Sequence, residues 1–368
     1  MSGDRTTPAY QVDELLAFAS ALLRRAGLDP DKAGTVAAIL VEGDLLGHTT
    51  HGLALAAPYL AALDAGSMTR DGEPAVISDQ GAAACWDGRR LPGPWLVVRA
   101  IEQALTRVLE HGVAAVAIRE SHHIGCLASY LERATSRGCM ILLTCSDPSE
   151  ASVAPYGGLQ ALFTPDPIAV GIPTGGDPIL IDMSASITTN GMTGRLRKEG
   201  RSFPGRWAMT ASGEPTDDPG VLFAKPPGTL LPTGGREYGH KGYNLALTIE
   251  ALSQGLSGHG RADRTTGWGA SVYVQVMDPA AFGGASRFVQ QTGFIAAACR
   301  SNPPAPGVDA DVCPASRVSH AGARPVRPGS VSTPGSWIRW RPGPSGSRSP
   351  RRRPRADGRM PVSHARRT

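Results

Sequence analysis

Two short polar segments concentrate histidines near the start of the chain. The segment GHTTHG carries His48, Thr50 and His51, and the segment SHHIGCL carries His123. Imidazole titrates near neutral pH, so it can give or take a proton at a reacting carbonyl or hydroxyl group. These residue types predict acid–base chemistry, with the Thr50 hydroxyl directly beside an imidazole.

Other polar residues stand where predicted strands end or helices begin. Ser146 follows one apolar run, Asp182 and Ser184 end another, and Lys241 lies in the glycine-flanked segment GHKGY that opens a helix. Polar side chains on such turns are where functional sites are usually built, and a helix N-terminus can bind a phosphate or carboxylate.

Each of these residues also has an ordinary structural explanation. His48 and His51 can complement the last carbonyls of a helix, Asp182 can cap a turn, and Lys241 can be a solvated lysine. His123 and its neighbour lack a Cys or His partner at zinc-ligand spacing, so we expect no metal. The individual signals are weak, and only their combination indicates a site.

The elements that must position these residues predict a mixed α+β fold. Helical spacing covers Val12–Ala26, a second helix that Asp31 can cap, Trp95–Glu110, Ile124–Arg137 and a helix from about Tyr243 to Leu256. Short apolar runs predict strands, and these are Val113–Ile118, Met140–Thr144, Ile168–Ile172, Ile179–Asp182 and Ser271–Met277.

Composition narrows the class of protein. The 368 residues contain six cysteines and no CxxC pair, and neither an apolar run of membrane-spanning length nor a secretory signal is visible, so we expect a cytoplasmic protein. Residues 301–368 hold 13 Arg and 3 acidic residues, so residues 1–300 hold 24 basic and 29 acidic residues. The body of the chain therefore predicts neither nucleic-acid nor membrane binding.

A GxGxxG dinucleotide fingerprint is absent, since Gly258-His-Gly260 and Gly267-Trp-Gly269 both lack the required context. In order and spacing, however, the polar segments resemble the malate/L-lactate dehydrogenase-like family, which includes ureidoglycolate and sulfolactate dehydrogenases and piperideine-carboxylate reductase. GDLLGHTTHG resembles A-D-x-x-G-H-x-S-H-G, SHHIGCLASY resembles N-H-F-G-A-A-x-x-Y, and TCSDPSEASVAPYGG resembles the ureidoglycolate branch. FTPDPIAVGIPTGGDPILIDMSAS, WAMTASGEPTDDP and GHKGYNLALTIEALSQGLSG continue the likeness, which covers Val12–Val308.

The resemblance implies a non-Rossmann fold with a largely antiparallel NAD(P)-binding sheet and a helical lobe, working as a homodimer. It implies hydride transfer between NAD or NADP and C2 of a small 2-hydroxy or 2-oxo (or 2-imino) acid. The implied boundaries are an N-terminal helical lobe with the catalytic segment at 1–112, the cofactor-binding sheet domain at 113–260, a segment returning to the first lobe at 261–308, and a tail at 309–368.

The resemblance also implies roles for individual residues. It places a hydroxyl–imidazole–carboxylate proton relay on Thr50, His51 and Asp182, with His123 as a second active-site histidine. His48 and Arg195 are expected to contact the substrate. The expected cofactor contacts are His123, Ile124, Gly125, Cys126, Leu127, Ser146, Asp182, Met183, Ser184 and Lys241.

Two positions depart from the family pattern. Leu55 stands where the family usually has an arginine that pairs the substrate carboxylate, and Arg195, Arg197 and Lys198 are possible replacements. Asp166 replaces the asparagine that usually precedes Pro-Ile-Ala.

The tail differs from the rest of the chain. It is rich in Arg and Pro and has no Lys or periodic apolar pattern, so it is expected to be disordered or the product of a shifted reading frame. Back-translation of Val312–Gly322, read from one base earlier, can give RLPGEPGLARR, which resembles the family at this point. DNA sequencing past Gly307 tests this hypothesis.

Two other functions stay open at this point. One is an inactive relative whose basic tail binds nucleic acid or anionic surfaces, which strong salt dependence of DNA binding would favour. The other is a zinc hydrolase that uses His48, His51 and His123, which metal analysis would test.

Overall fold

The computed structural model describes residues 10–306 and the backbone of 337–339. The hypotheses about the N-terminal segment and about most of the 309–368 tail, including its reading frame, fall outside these residues. Among the described residues, no helix combines the length and apolar character needed to cross a membrane.

Nine helices and eleven strands form the described part of the chain. The helices are α1 (Val12–Arg25), α2 (Pro30–Leu45), α3 (Ala56–Asp64), α4 (Gly93–His111), α5 (Glu132–Thr135), α6 (Asn190–Lys198), α7 (Gly235–Tyr238), α8 (His240–Glu250) and α9 (Ala285–Ser301). The strands are β1 (Ala75–Asp79), β2 (Ala83–Asp87), β3 (Val113–Ser121), β4 (Met140–Ser146), β5 (Pro167–Ile172), β6 (Ile179–Ser184), β7 (Ala208–Met209), β8 (Pro215–Thr216), β9 (Thr229–Leu230), β10 (Ala270–Met277) and β11 (Trp337–Arg339).

Eight strands form one mixed sheet in the order β1-β2-β3-β10-β4-β5-β6-β11. Only β2 and β3 pair in parallel, and every other neighbouring pair is antiparallel. The remaining strands form a small sheet in the order β8-β7-β9. The expected mixed α/β architecture with a largely antiparallel sheet is therefore present.

The main core lies between this sheet and α4, which packs across β3 and β10. The α4 residues that enter it, Leu96, Ala100, Ile101 and Ala104, recur at helical spacing and are fully buried. A second core joins α1, α2 and α3 around Leu40. Of these helices, α2 also packs against α4.

Several sequence-based element assignments need correction. Asp29, not Asp31, caps α2 by accepting the N–H of Asp31 at 3.0 Å, and the Asp31 carboxylate instead accepts the Trp95 indole N–H at 2.7 Å. Strands β1 and β2 lie in the part expected to be wholly helical. They are short, and β1 is an edge strand with mostly exposed side chains, so neither shows an extended apolar pattern.

The helix predicted over Ile124–Arg137 is interrupted. A turn follows Gly125, whose φ is +72°, and only a 3-10 turn and the four-residue α5 follow it. The segment 261–308 supplies β10 to the centre of the sheet, while α9 contacts the end of β5 through the Thr292–Pro173 hydrogen bond. The sheet thus crosses the predicted domain boundaries, and the division into lobes stays a prediction.

Candidate active site

The strand registers bring polar strand ends to one edge of the sheet. Ser121 at the end of β3 lies opposite Ala270, Ser146 at the end of β4 lies opposite Ser271, and Ser184 at the end of β6 lies opposite Pro167. Residues far apart in the chain therefore meet along a single line. A functional site is expected at such an edge, where the chain leaves the sheet in loops.

The loop that carries GHTTHG is held over this edge by a close turn at the end of α2. The Asp44 carboxylate accepts the N–H of Leu53 at 2.8 Å, which closes the loop between them. Gly52 permits this approach, because a Cβ there would lie 2.2 Å from Oδ1 of Asp44. The loop is therefore held at its end by a side-chain-to-backbone hydrogen bond from the helix that precedes it.

A cavity of about 600 Å³ opens between this loop and the strand ends, a size within the usual range of small-molecule sites. Most of the predicted site residues line it together: His48, Thr50, His51, His123, Gly125, Cys126, Leu127, Ser146, Asp182, Met183 and Ser184. Ile124, Lys241 and Arg195 do not line it.

His51 forms a hydroxyl–imidazole pair with the preceding residue. Its Nδ1 lies 2.9 Å from Oγ1 of Thr50. Burial and, to a smaller extent, the nearby His48 lower the pKa of His51 to about 4, although the charge of Asp182 opposes both. His51 is therefore neutral at physiological pH and can accept a proton.

His123 stacks in an aromatic group above the cavity. Its ring centroid lies 4.6 Å from that of Trp268 and 6.0 Å from that of His51. The Gly125 N–H donates to Nδ1 of His123 at 3.2 Å, so the proton of the neutral ring is on Nε2. The hydroxyl of Tyr59 donates to the His123 carbonyl at 3.0 Å, and burial holds the pKa of His123 well below its ordinary value.

Asp182 faces the same cavity with its carboxylate fixed. Its Oδ2 accepts the Ala128 N–H at 2.9 Å and lies 3.7 Å from the Cys126 thiol. Ligand-type atoms of His48, Cys126 and Asp182 all lie within 4.8 Å of one another. In residues 10–306, this is the trio with metal-binding spacing, whereas the zinc-hydrolase hypothesis used His48, His51 and His123.

The three cationic side chains considered as partners of the substrate carboxylate differ in position and exposure. Arg195 is partly buried, donates from Nη1 to Oγ1 of Thr49 at 2.8 Å, and lies close enough to lower the pKa of His51. Arg197 and Lys198 are exposed on α6, and Arg197 lies over the ring of Phe223. Arg195 is thus the candidate of the three that lies beside the GHTTHG loop.

Two predicted cofactor contacts lie apart from the cavity lining. Lys241 is exposed at the start of α8, with Nζ 5.4 Å from the ring centroid of Tyr238. Ile124 is buried in the main core, where it packs instead of facing the cavity. Their contacts with a cofactor stay predictions.

Ser146 is anchored at the end of β4 by a buried polar network. Its hydroxyl donates to Oε1 of Glu250 at 2.8 Å and accepts from Gln254 at 3.1 Å. Arg261 pairs with Glu250 at 2.8 Å and also reaches the Ser146 hydroxyl at 3.1 Å. The network fixes Ser146 where it lines the cavity.

Asp166 belongs to the same network and is fully buried. Its φ is +46°, a conformation that Asn and Asp tolerate better than other residues with a Cβ. Its Oδ1 accepts the Thr164 hydroxyl at 2.5 Å, whereas Oδ2 has no hydrogen-bond partner among the described residues. Burial and the negative Glu250 raise the pKa of Asp166 to about 7.

Comparison with protein families gives a match to the malate/L-lactate dehydrogenase family over residues 10–332. This is most of the chain, and it runs 24 residues beyond Val308, where the sequence resemblance was expected to end. The chain belongs to the malate/L-lactate dehydrogenase family. It is accordingly an oxidoreductase of the dehydrogenase type.

Individual relatives agree with this assignment. The chain is 33% identical over 286 residues to an L-lactate dehydrogenase of Cupriavidus necator, covering 76% of this chain and 81% of the relative. It is 33% identical over 242 residues to a (2R)-3-sulfolactate dehydrogenase (NADP(+)) of Chromohalobacter salexigens, covering 66% and 70%. A solved malate dehydrogenase of Entamoeba histolytica, 24% identical, superposes with a TM-score of 0.77 over 83% of this chain and 88% of that one, which shows the shared fold.

Several residues of the dehydrogenase site were missed in the sequence. Tyr59 and Trp268 contact His123, and Thr49 and Cys145 line the cavity. Trp268 had a usable signal, since an aromatic residue between two glycines directly before a strand is placed to face a sheet edge. Tyr59 had none, because in the sequence it is simply an apolar position of α3.

Proposed function

We propose that this dehydrogenase transfers a hydride between NAD or NADP and C2 of a small 2-hydroxy or 2-oxo acid, with cyclic 2-imino acids as a further class of substrate. The names of the relatives support hydroxy acids as the substrate class, and one relative is named as NADP(+)-dependent. The observation that carries the proposal is the Thr50–His51 pair, which faces a cavity also lined by Asp182 and His123.

The cavity suits a nicotinamide cofactor. Gly125 and Gly269 line it without side chains, Trp207 and Trp268 offer flat apolar surfaces, and Ser184 offers a hydroxyl group. The non-Rossmann character of the fold belongs to this proposal, since the sheet edge and not a glycine-rich βα turn would hold the cofactor.

A bound nicotinamide would supply the hydride acceptor for oxidation of the hydroxy acid and the hydride donor for reduction of the oxo acid. The protein handles the proton that accompanies this hydride. Neutral His51 accepts the substrate hydroxyl proton in the oxidative direction, and the Thr50 hydroxyl orients its ring through Nδ1. The Asp182 charge stabilises the imidazolium that forms, as its effect on the pKa of His51 indicates.

The cationic side chains near the GHTTHG loop determine how the substrate carboxylate is oriented. Leu55 lines the cavity and cannot pair a carboxylate. Arg195 lies behind Thr49 and is the cation that we assign to the substrate carboxylate, reached by a change in its side-chain rotamer. His48 is assigned to the same end of the substrate.

The experiment follows the absorbance of NADH and NADPH with a panel of 2-oxo and cyclic 2-imino acids. We expect turnover by the natural chain, and a loss of about 10²–10⁴-fold in kcat in His51→Ala with cofactor binding retained. His111→Gln, an exposed histidine at the end of α4, is the matched control and should keep full activity. Absence of both turnover and cofactor binding, or equal activity in His51→Ala, contradicts the proposal.

We further propose that the enzyme is a homodimer. Phe294 and Ile295 of α9 are 69% and 54% exposed, and Phe282 just before this helix is 67% exposed, so apolar surface remains uncovered on a single chain. Light scattering of the purified protein tests this, and a monomer at micromolar concentration would contradict it.

A further inference from the structure

Three metal-ligand side chains meet on one wall of the cavity, although the sequence predicts no metal. His48 comes from the loop after α2, Cys126 from the turn after β3, and Asp182 from β6. Because these three residues lie far apart in the chain, they form no sequence motif with the spacing of metal ligands. A nitrogen, a sulfur and an oxygen atom of these residues all lie within 4.8 Å of one another.

The separations are close to those that a tetrahedral divalent cation needs. Metal–ligand bonds of about 2.0–2.3 Å place neighbouring ligand atoms about 3.5 Å apart. Sγ of Cys126 already lies 3.7 Å from Oδ2 of Asp182. The His48 ring nitrogen lies within 4.8 Å of both atoms, so a closer approach of this partly buried side chain would complete the triangle.

The surroundings support this donor set. The Ala128 N–H donates to Oδ2 of Asp182 at 2.9 Å and holds the carboxylate in place, as outer contacts do in metal sites. Cys126 is 2% exposed, so its sulfur is shielded from bulk reagents while still forming part of the cavity wall. All three side chains line the cavity, which leaves a fourth ligand position open towards it.

We propose that His48, Cys126 and Asp182 form a binding site for a thiophilic divalent cation such as Zn²⁺, which inhibits the enzyme reversibly. A thiolate, an imidazole and a carboxylate together favour zinc over magnesium or calcium. On binding, the Cys126 S–H bond breaks, a sulfur–metal bond forms, and the proton passes to solvent.

Inhibition follows from the place of the cation and rests on the proposed function. A cation on Asp182 removes the negative charge that stabilises protonated His51, and it takes the cavity space beside His48 that we assign to substrate. Binding of the cation does not depend on that chemistry, so the test measures binding directly.

The test is a titration of the full chain with Cd²⁺, a spectroscopic substitute for Zn²⁺, followed by the ultraviolet charge-transfer band of the cadmium–thiolate bond. We expect one band that saturates at one equivalent per chain and is reversed by excess EDTA. Cys126→Ala should abolish this band, and His48→Gln should weaken binding at least tenfold.

Two other cysteines serve as matched controls. Cys299→Ala removes an exposed thiol, and Cys145→Ala removes a second thiol of the cavity lining; both should retain the stoichiometric band. Zn²⁺ should displace Cd²⁺ from the natural chain and from both control variants. A band that persists in Cys126→Ala, or no stoichiometric binding by the natural chain, overturns the site whether or not the enzyme turns over hydroxy acids.

Discussion

His51 sits in a protein environment that removes its positive charge. Burial is the largest effect, His48 and the Arg195 guanidinium add to it, and the Asp182 carboxylate only partly offsets them. A folded-state pKa of about 4 makes the imidazole a base at neutral pH. Without ligands, His51 is therefore in the neutral form that accepts a proton when an alcohol is oxidised. In the reductive direction His51 must donate a proton, so the bound substrate or cofactor has to raise its pKa.

An NMR titration of the imidazole groups tests this state. We expect the His51 resonance, assigned by its loss in His51→Asn, to titrate with a midpoint near 4, because burial disfavours the imidazolium. Oxidation should accordingly stay constant in kcat/KM at neutral pH and fall only as the pH approaches 4. A midpoint at or above 6.5 would show that the ring is solvated.

At the scale of elements, the reactive loop depends on the contact between the end of α2 and Gly52. The Asp44 carboxylate occupies the place that a side chain at position 52 would need. Burial raises the pKa of Asp44, while the N–H of Leu53 opposes that shift by donating to the carboxylate. The loop position is thus set by one glycine and one acid of the helix end.

Gly52→Ala should displace this loop. A Cβ 2.2 Å from Asp44 Oδ1 forces the carboxylate or the backbone to move, so we expect lower turnover and a free energy of unfolding reduced by about 1–3 kcal/mol. Thermal and denaturant unfolding together with kcat measure both effects.

The matched control is Gly34→Ala within α2, where nothing lies within 4 Å of the added Cβ. This change should stabilise the protein by up to about 1 kcal/mol and leave turnover intact. Equal behaviour of the two variants would mean that the close approach at Gly52 does not constrain the loop.

At the scale of the whole molecule, a network of two carboxylates and one arginine joins three parts of the chain. Asp166 precedes β5, Glu250 ends α8, and Arg261 follows the turn after that helix. Arg261 neutralises the charge of the Glu250 carboxylate, and the Asp166 carboxyl group is favoured in its protonated form. Since the network also holds Ser146, the stability of the fold and the shape of the cavity share these groups.

Asp166→Asn should make the protein less sensitive to pH. The pKa of Asp166 is raised from 3.8 to about 7 on folding, so the folded chain binds this proton more tightly than the unfolded chain. Its stabilising effect is full below about pH 4 and is lost as the pH rises to about 7. The natural chain should lose up to about 1 kcal/mol of unfolding free energy per pH unit in this window, and Asp166→Asn should lose less.

Urea unfolding at several pH values measures this difference. Asp71→Asn, at an exposed position, is the control and should follow the natural chain. Parallel pH profiles for Asp166→Asn and the natural chain would show that Asp166 is ionised in the folded state.

The elements that the sequence predicted well are those whose environment is uniform along their length. Strands β3, β4, β5, β6 and β10 each contain the predicted run, because a strand inside a sheet is rich in apolar residues over its whole length. Strand β2 and the interrupted segment after Gly125 escaped prediction. Their conformations depend on a neighbouring strand and on the cavity turn, which local propensity does not contain.

The sequence by itself determined the family, the residue types of the site and the order of the central elements. Polar motifs on glycine-rich turns are local features, and they can be recognised from the sequence without a structure. Only the tertiary structure decided which of these residues meet. It brought Cys126 to Asp182, placed the ring of Trp268 against that of His123, and left Lys241 apart from the cavity. The physical reason is that strand register and helix packing set distances across the sheet, whereas spacing along the chain does not.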